Sequence, residues 1–176
     1  MIISTIDASY AGSEGIREAF DKSADILSNF RLVEEKQIVE KLFKHINSNS
    51  GLGAYGLDEV INYLKNNVVD TVIITDKIGL YRIEAKCNRC NDTQEKIIEQ
   101  VKVFQTKTKL EDSPCLSCKS LDIEASEQDI VDYLSLLSAK TGTKIEVISG
   151  VSEYGSMVSN LGNIGAILRY NPNYSN

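Results

Sequence analysis

The sequence predicts an α/β sandwich, a central mixed sheet with helices on its faces, carrying a small zinc-ribbon-like inserted minidomain. Three observations lead there. Segments with helical apolar spacing alternate with short β-branched runs along most of the 176 residues. Apolar residues make up 42% and charged residues 25%, the balance of a chain that folds around a core. All four cysteines fall within residues 87–118, where the alternation breaks.

Residues 1–12 read as a lead-in, a short apolar strand fragment followed by Ala8-Ser9-Tyr10-Ala11-Gly12. Ser13 is placed to cap a helix carrying Ile16, Ala19 and Phe20, with Glu14 near its positive end. From Leu32 to Ile46 the positions Val39, Leu42 and Ile46 recur at helical spacing, until the polar Asn47–Gly51 stretch ends the helix. Leu57, Val60, Ile61 and Leu64 form an i, i+3, i+4, i+7 stripe, again a helix. Thr71–Thr75 is apolar and β-branched throughout, the pattern of a strand buried on both faces. Tyr81–Lys86 alternates apolar and charged, as do Leu121–Glu124, so both predict half-buried strands. Ser126 and Asp129 have capping-box spacing ahead of a helix that turns Ile130, Leu134 and Leu137 inward. Lys144–Ser149 reads as a strand, Ser152–Leu161 as a helix and Ile164–Tyr170 as the closing strand.

No apolar run approaches the length of a membrane span, and Met1-Ile2-Ile3-Ser4 lacks the pattern of a signal peptide. The predicted setting is therefore cytoplasmic. A net charge of −6 disfavours direct, sequence-specific nucleic-acid binding, which rests on basic patches. Between Leu121 and Ala139 lie Asp122, Glu124, Glu127, Asp129 and Asp132 with no Lys or Arg. That run is either a solvated helix face or an acidic docking face for a basic partner.

The cysteines are arranged as Cys87-x-x-Cys90 and Cys115-x-x-Cys118, with 24 residues between the pairs. Two residues between thiolates suit a tight turn that aims both sulfurs at one ion, and two such turns complete a tetrahedral site. The spacing predicts one structural zinc per chain on Cys87, Cys90, Cys115 and Cys118. Four thiolates leave no open coordination position for water or substrate. Disulfides and free or redox-active thiols are the alternatives; matched pairs without a secretion signal favour metal. Ile97-Ile98 and Val101–Phe104 have the content of a hairpin between the pairs. A segment this short has little core of its own, so a metal would supply much of its folding energy.

Gly51-Leu52-Gly53-Ala54-Tyr55-Gly56 matches the G-x-G-x-x-G pattern of dinucleotide binders, and Asp76 sits at about the distance of a ribose-binding carboxylate. The strand that should feed such a turn is missing, because residues 36–50 are helical in pattern. A nucleotide-binding enzyme built on this turn is thus a weak alternative. His45, the only histidine, reads as a surface residue between Lys41 and Lys44. No catalytic triad or dyad assembles around it.

Four stretches together carry a family resemblance. Ile6–Gly15 is similar to the segment where the middle domain of a class-1 peptide chain release factor, of the archaeal and eukaryotic type, passes into its C-terminal domain. Gly53–Val60 resembles that domain's glycine turn and helix, and Asp70–Asp76 its first sheet strand. Gly162–Tyr170 resembles its closing glycine-rich strand ending in Ile-Leu-Arg-Tyr, with Asn163 where the family pattern has another glycine. The paired Cys-x-x-Cys motifs look like the archaeal branch. The C-terminal domain of the rescue factor Pelota is the alternative close in fold; the cysteines and the Ser9–Gly12 lead-in argue against it.

The resemblance implies translation termination at the ribosome, without enzymatic activity in this part. The family's Gly-Gly-Gln and Asn-Ile-Lys-Ser motifs, which serve peptidyl-tRNA hydrolysis and stop-codon reading, do not occur here. Residues 1–12 would then end a middle domain, and 13–176 would form a partner-binding domain with the cysteine minidomain inserted at 87–118. Met1 would mark a fragment boundary. The implied partners are a translational GTPase of the elongation-factor 1-alpha type, an ABC-type ribosome-recycling ATPase and the ribosome. The closing strand is similar to part of the surface that meets the GTPase, which makes Gly165, Leu168, Arg169 and Tyr170 candidate contacts. Of these, Arg and Tyr are the types enriched at interface hot spots, whereas Ile167 beside them fits a buried position.

Overall fold

The computed structural model describes residues 5–48 and 50–172. The strand fragment expected at the start of the chain lies largely outside them. Helix α1 runs without interruption over Ser13–Asn47, so the two helical stretches expected from the sequence are one helix of 35 residues. No Gly or Pro falls between Ile16 and Asn47 to break it. Its N-cap is Gly12, at φ 81°, and no side chain caps the end. Ser13 is therefore the first helical residue and not the cap. Ile16 and Phe20 are largely exposed, whereas Val39 and Leu42 are fully buried.

The chain continues through β1 (Gly53–Tyr55), α2 (Leu57–Lys65) and β2 (Val69–Thr75). After a second sheet described below come α4 (Ile130–Thr141), β6 (Lys144–Ile148), α5 (Glu153–Ser159) and β7 (Ile164–Leu168). The main sheet has the order β1-β7-β2-β6. β2 pairs antiparallel with β7 and parallel with β6, which makes the sheet mixed. The alternation of β2 divides the core between two faces. Val72 and Ile74 pack with Val60, Leu64, Ile130 and Leu134 from α2 and α4. Ile73 packs with Val39, Leu42 and Val158 from α1 and α5. This is the three-layer sandwich expected from the sequence.

The small sheet has the order β4-β3-β5, with β3 at Leu80–Cys87, β4 at Thr93–Glu99 and β5 at Ile123–Asp129. A 3-10 turn over Gln100–Lys102 leads into α3 (Val103–Glu111). The strand-like content read at Val101–Phe104 thus belongs to helical structure. Only Leu110 of α3 is buried, and it joins Ile83, Ala85 and Ala125 beneath the helix. β5 extends to Asp129, paired along its whole length with β3, so Ser126 is a strand residue and forms no capping box. Asp129 is itself the N-cap of α4, its carboxylate accepting from Val131 N–H at 2.7 Å. The acidic run from Asp122 is accordingly divided between a strand and a helix.

The two sheets meet where Leu80 and Ile97 pack on the main core. Arg82 bonds to Glu84 and, at 2.6 Å, to Glu95, while its guanidinium lies 4.6 Å from the ring centroid of Tyr133 on α4. Burial opposes its charge, but the two carboxylates outweigh this and raise its pKa.

Candidate metal centre and closing strand

The four cysteines converge at the end of the small sheet remote from α4. Cys87 ends β3, and the turn after it places Cys90 opposite. In that turn Cys87 N–H donates to the Asp92 carbonyl at 2.9 Å, and Asn91 N–H donates back to the Cys87 carbonyl at 2.9 Å. The turn between α3 and β5 repeats the frame: Cys115 N–H donates to the Ser120 carbonyl at 2.8 Å, and Lys119 N–H to the Cys115 carbonyl at 3.0 Å. Asn91 and Lys119, each directly after the second cysteine of its pair, both have positive φ, at 59° and 62°. Asn adopts this conformation readily; Lys does so only when the surroundings impose it. The two turns are equivalent knuckles, each presenting a sulfur pair.

Cys87 Sγ lies 3.6 Å from Cys118 Sγ, and Cys90 Sγ lies 3.6 Å from Cys115 Sγ. All four sulfurs fall within 4.8 Å of one another. Four sulfurs about 2.3 Å from a central zinc would be about 3.8 Å apart, so the cage fits a tetrahedrally coordinated ion. The electrostatics fit as well. Backbone N–H groups of Cys90 and Arg89 lower the Cys87 thiol to about 7. The N–H of Asp92 also favours ionised Cys90, but the neighbouring thiols, Cys118 first among them, push it up to about 12. Protons alone leave the four sulfurs competing for negative charge; a divalent cation would remove that competition.

The knuckles are tied to their surroundings by residues that sequence spacing does not single out. Asp92 accepts from Ser117 Oγ at 2.8 Å, linking the first knuckle to the second. Asn88 donates through Nδ2 to the Asp122 carboxylate at 2.9 Å and through N–H to its carbonyl at 3.0 Å, linking the first knuckle to the approach to β5.

The closing strand lies between β1 and β2. Gly165 and Leu168 are buried there. A Cβ on Gly165 would stand 2.5 Å from Leu42 Cδ2, so glycine lets α1 approach the sheet. Beyond Leu168 the chain emerges, with Arg169 and Tyr170 both exposed. Arg169 Nη1 donates to Asn67 Oδ1 at 2.7 Å and Nη2 to the Thr141 carbonyl at 2.7 Å, at the C-terminal end of α4. Asn163 has φ 65°, a conformation glycine would adopt freely, and its Oδ1 accepts from Thr75 Oγ1 at 2.8 Å. Asparagine thus substitutes for the expected glycine by tolerating the same backbone.

The glycine turn lacks the strand–turn–helix setting of a dinucleotide site. α1 leads into it instead of a strand, and β1 pairs antiparallel with β7. Gly53 is required because a Cβ would lie 2.9 Å from Ile46, and Asp76 is engaged with Gly150 N–H at 2.8 Å. His45 is half-buried, its Nδ1 3.3 Å from Ser50 Oγ, and not the open surface residue expected.

A family model for eRF1 domain 3 matches residues 32–172. Peptide chain release factor subunit 1 of Methanococcus maripaludis is 37% identical over 171 residues, covering 96% of this chain and 41% of that protein. The chain thus spans about two fifths of the length of the curated relatives it matches. Among solved structures, the C-terminal domain of a peptide chain release factor from Methanosarcina mazei superposes with a TM-score of 0.80 at 27% identity, over 94% of this chain and 99% of that one. A model of ribosome-bound archaeal Pelota and ABCE1 shares the fold with a TM-score of 0.52 at 22% identity, over 93% of this chain and 34% of that one.

Proposed function

We propose, since this chain belongs to the eRF1 domain 3 family, that it is the docking domain of a translation-termination factor. Residues 13–176 form the partner-binding domain, residues 1–12 close the domain before it, and the four-cysteine minidomain is the insert at 87–118 with its flanking strands. The domain meets a translational GTPase of the elongation-factor 1-alpha type, then an ABC-type ribosome-recycling ATPase, on the ribosome. Its cysteine cage holds one structural zinc through Cys87, Cys90, Cys115 and Cys118. No catalytic residue is assigned to it.

The observation that carries the docking role is the end of β7. A strand buried along its length delivers Arg169 and Tyr170 to the surface on rigid backbone, where Arg169 is oriented by Asn67 and Thr141. An Arg held in this way makes little conformational sacrifice on binding, and Tyr170 beside it adds an exposed aromatic face. Gly165 and Leu168 are buried and support that strand end from within.

Titrating the GTPase against variants tests this. Arg169→Ala should weaken binding by about 2 kcal/mol or more, the scale of a hot spot. Its two exposed hydrogen bonds contribute about 1 kcal/mol each to folding, which for a chain of this size lowers the melting temperature by about 4–8 °C and leaves the variant folded during the titration. Tyr170→Ala should weaken binding with no loss of stability. Unchanged affinity in both variants would remove the end of β7 from the interface.

A further inference from the structure

All four sulfurs of the cage lie within 4.8 Å of one another, and two approaches across the knuckles are as short as 3.6 Å. The 3.6 Å approaches join Cys87 to Cys118 and Cys90 to Cys115. Each pair contains one buried and one more accessible sulfur: Cys87 and Cys115 are almost fully buried, whereas Cys118 is half-buried and Cys90 exposed. Disulfide formation would bring the sulfurs of a pair to about 2.05 Å, a movement of under about 1 Å for each. Side-chain rotation can supply most of this. The knuckle backbones are positioned by their own hydrogen bonds and by the Asn88–Asp122 and Asp92–Ser117 links, which a cross-link between the knuckles would preserve.

We infer that the minidomain has a second closed state, in which oxidation replaces the metal with the disulfides Cys87–Cys118 and Cys90–Cys115. Hydrogen peroxide is the oxidant. The accessible thiolate of a pair attacks one peroxide oxygen, giving sulfenic acid and hydroxide. The buried thiolate then attacks the sulfenic sulfur, forming the disulfide and releasing a second hydroxide. Two peroxides are reduced per chain, four thiolates are oxidised to two disulfides, and the divalent ion leaves because its ligands are gone. Each accessible cysteine senses the oxidant and each buried one resolves it. The cross-links span the same knuckles that the ion spans, so the end of the small sheet stays closed.

This inference rests on the metal reading above, and the two can be tested separately. Zinc content of the purified chain tests the metal. The zinc-loaded chain is then treated with peroxide, zinc release is followed with a chromophoric chelator, and unreduced peptides are mapped by mass spectrometry. Release of one zinc per chain should accompany peptides joined as Cys87–Cys118 and Cys90–Cys115, with far-UV circular dichroism unchanged. Thiol reductant and zinc should restore the starting state. Linkage within a knuckle, Cys87–Cys90 or Cys115–Cys118, would overturn the inference, as would loss of the small sheet's ellipticity on oxidation. If the purified chain takes up no zinc, the metal reading fails, and peptide mapping of the oxidised metal-free chain still decides the pairing.

Discussion

The main sandwich and the cysteine minidomain are both built on sheets, yet they close by different physics. Of the twelve largest fully buried side chains among the described residues, only Ile83 lies in the small sheet. The sandwich buries apolar layers on both faces of β2, each capable of the ordinary hydrophobic gain of about 25 cal/mol per Å². The minidomain has Ile83, Ala85, Leu110 and Ala125 under a single short helix, and beyond them four sulfurs. An apolar core is distributed over many residues, whereas a ligand cage is concentrated in four. Damage should therefore be graded in the first region and all-or-none in the second.

Cys115→Ser is the sharpest way to break this contrast. Structural zinc in small zinc-finger peptides contributes on the order of 10–16 kcal/mol, and losing one buried thiolate removes much of that. Zinc content should fall well below one per chain. Amide hydrogen exchange should lose protection in β3, β4 and β5 while keeping it in β2 and β7. If β2 and β7 lose protection in parallel, the chain is a single cooperative unit and the two regions are not separate.

Leu42→Ala probes the other side. Leu42 is fully buried, packs with Ile73 and Ile167, and lies against Gly165. The cavity should cost about 2–5 kcal/mol in urea unfolding. Zinc stoichiometry should stay at its wild-type value. A variant that also releases zinc would mean that strain in the sandwich reaches the cage, with the Arg82–Tyr133 contact at 4.6 Å as one bridge between the regions.

The same contrast governs what the sequence made legible. The sandwich could be read because its burial is periodic: the stripe of α2 and the unbroken apolar run of β2 fall where their spacing places them. The cage could be read from two matched spacings. α3 could not, because Val103–Glu111 buries only Leu110 and so presents no apolar stripe. The continuity of α1 was not legible for a related reason: its first turns carry Ile16 and Phe20 outward, away from any core. The capping box failed because local spacing is blind to strand pairing, which carries β5 through Ser126 to Asp129. The knuckle links from Asp92 and Asn88 join residues 25 and 34 positions apart, a separation at which single-sequence patterns hold no signal. Asn163 did leave one, as a residue tolerant of positive φ at a position where glycine was expected.

The smallest effect is expected where the two regions join. β5 passes directly into α4, and Asp129 serves both: it pairs with Tyr81 in the small sheet and caps α4 through its 2.7 Å bond from Val131 N–H. Asp129→Ala removes only the cap, because backbone pairing does not depend on the side chain. The loss should be about 1 kcal/mol, typical of an N-cap deletion. For a chain of this size that lowers the melting temperature by about 2–4 °C. Asp129→Asn keeps a capping oxygen and should recover most of the stability; an equal loss in both variants would assign the effect to charge at the helix N-terminus and not to the hydrogen bond. Ile130 and Leu134 anchor α4 in the main core, so the destabilisation should register in the sandwich. Zinc release under a chelator should keep its wild-type rate, since the cage lies at the far end of β5. A faster release would show that fraying of α4 travels along the strand to the knuckles, joining the two regions through the residue they share.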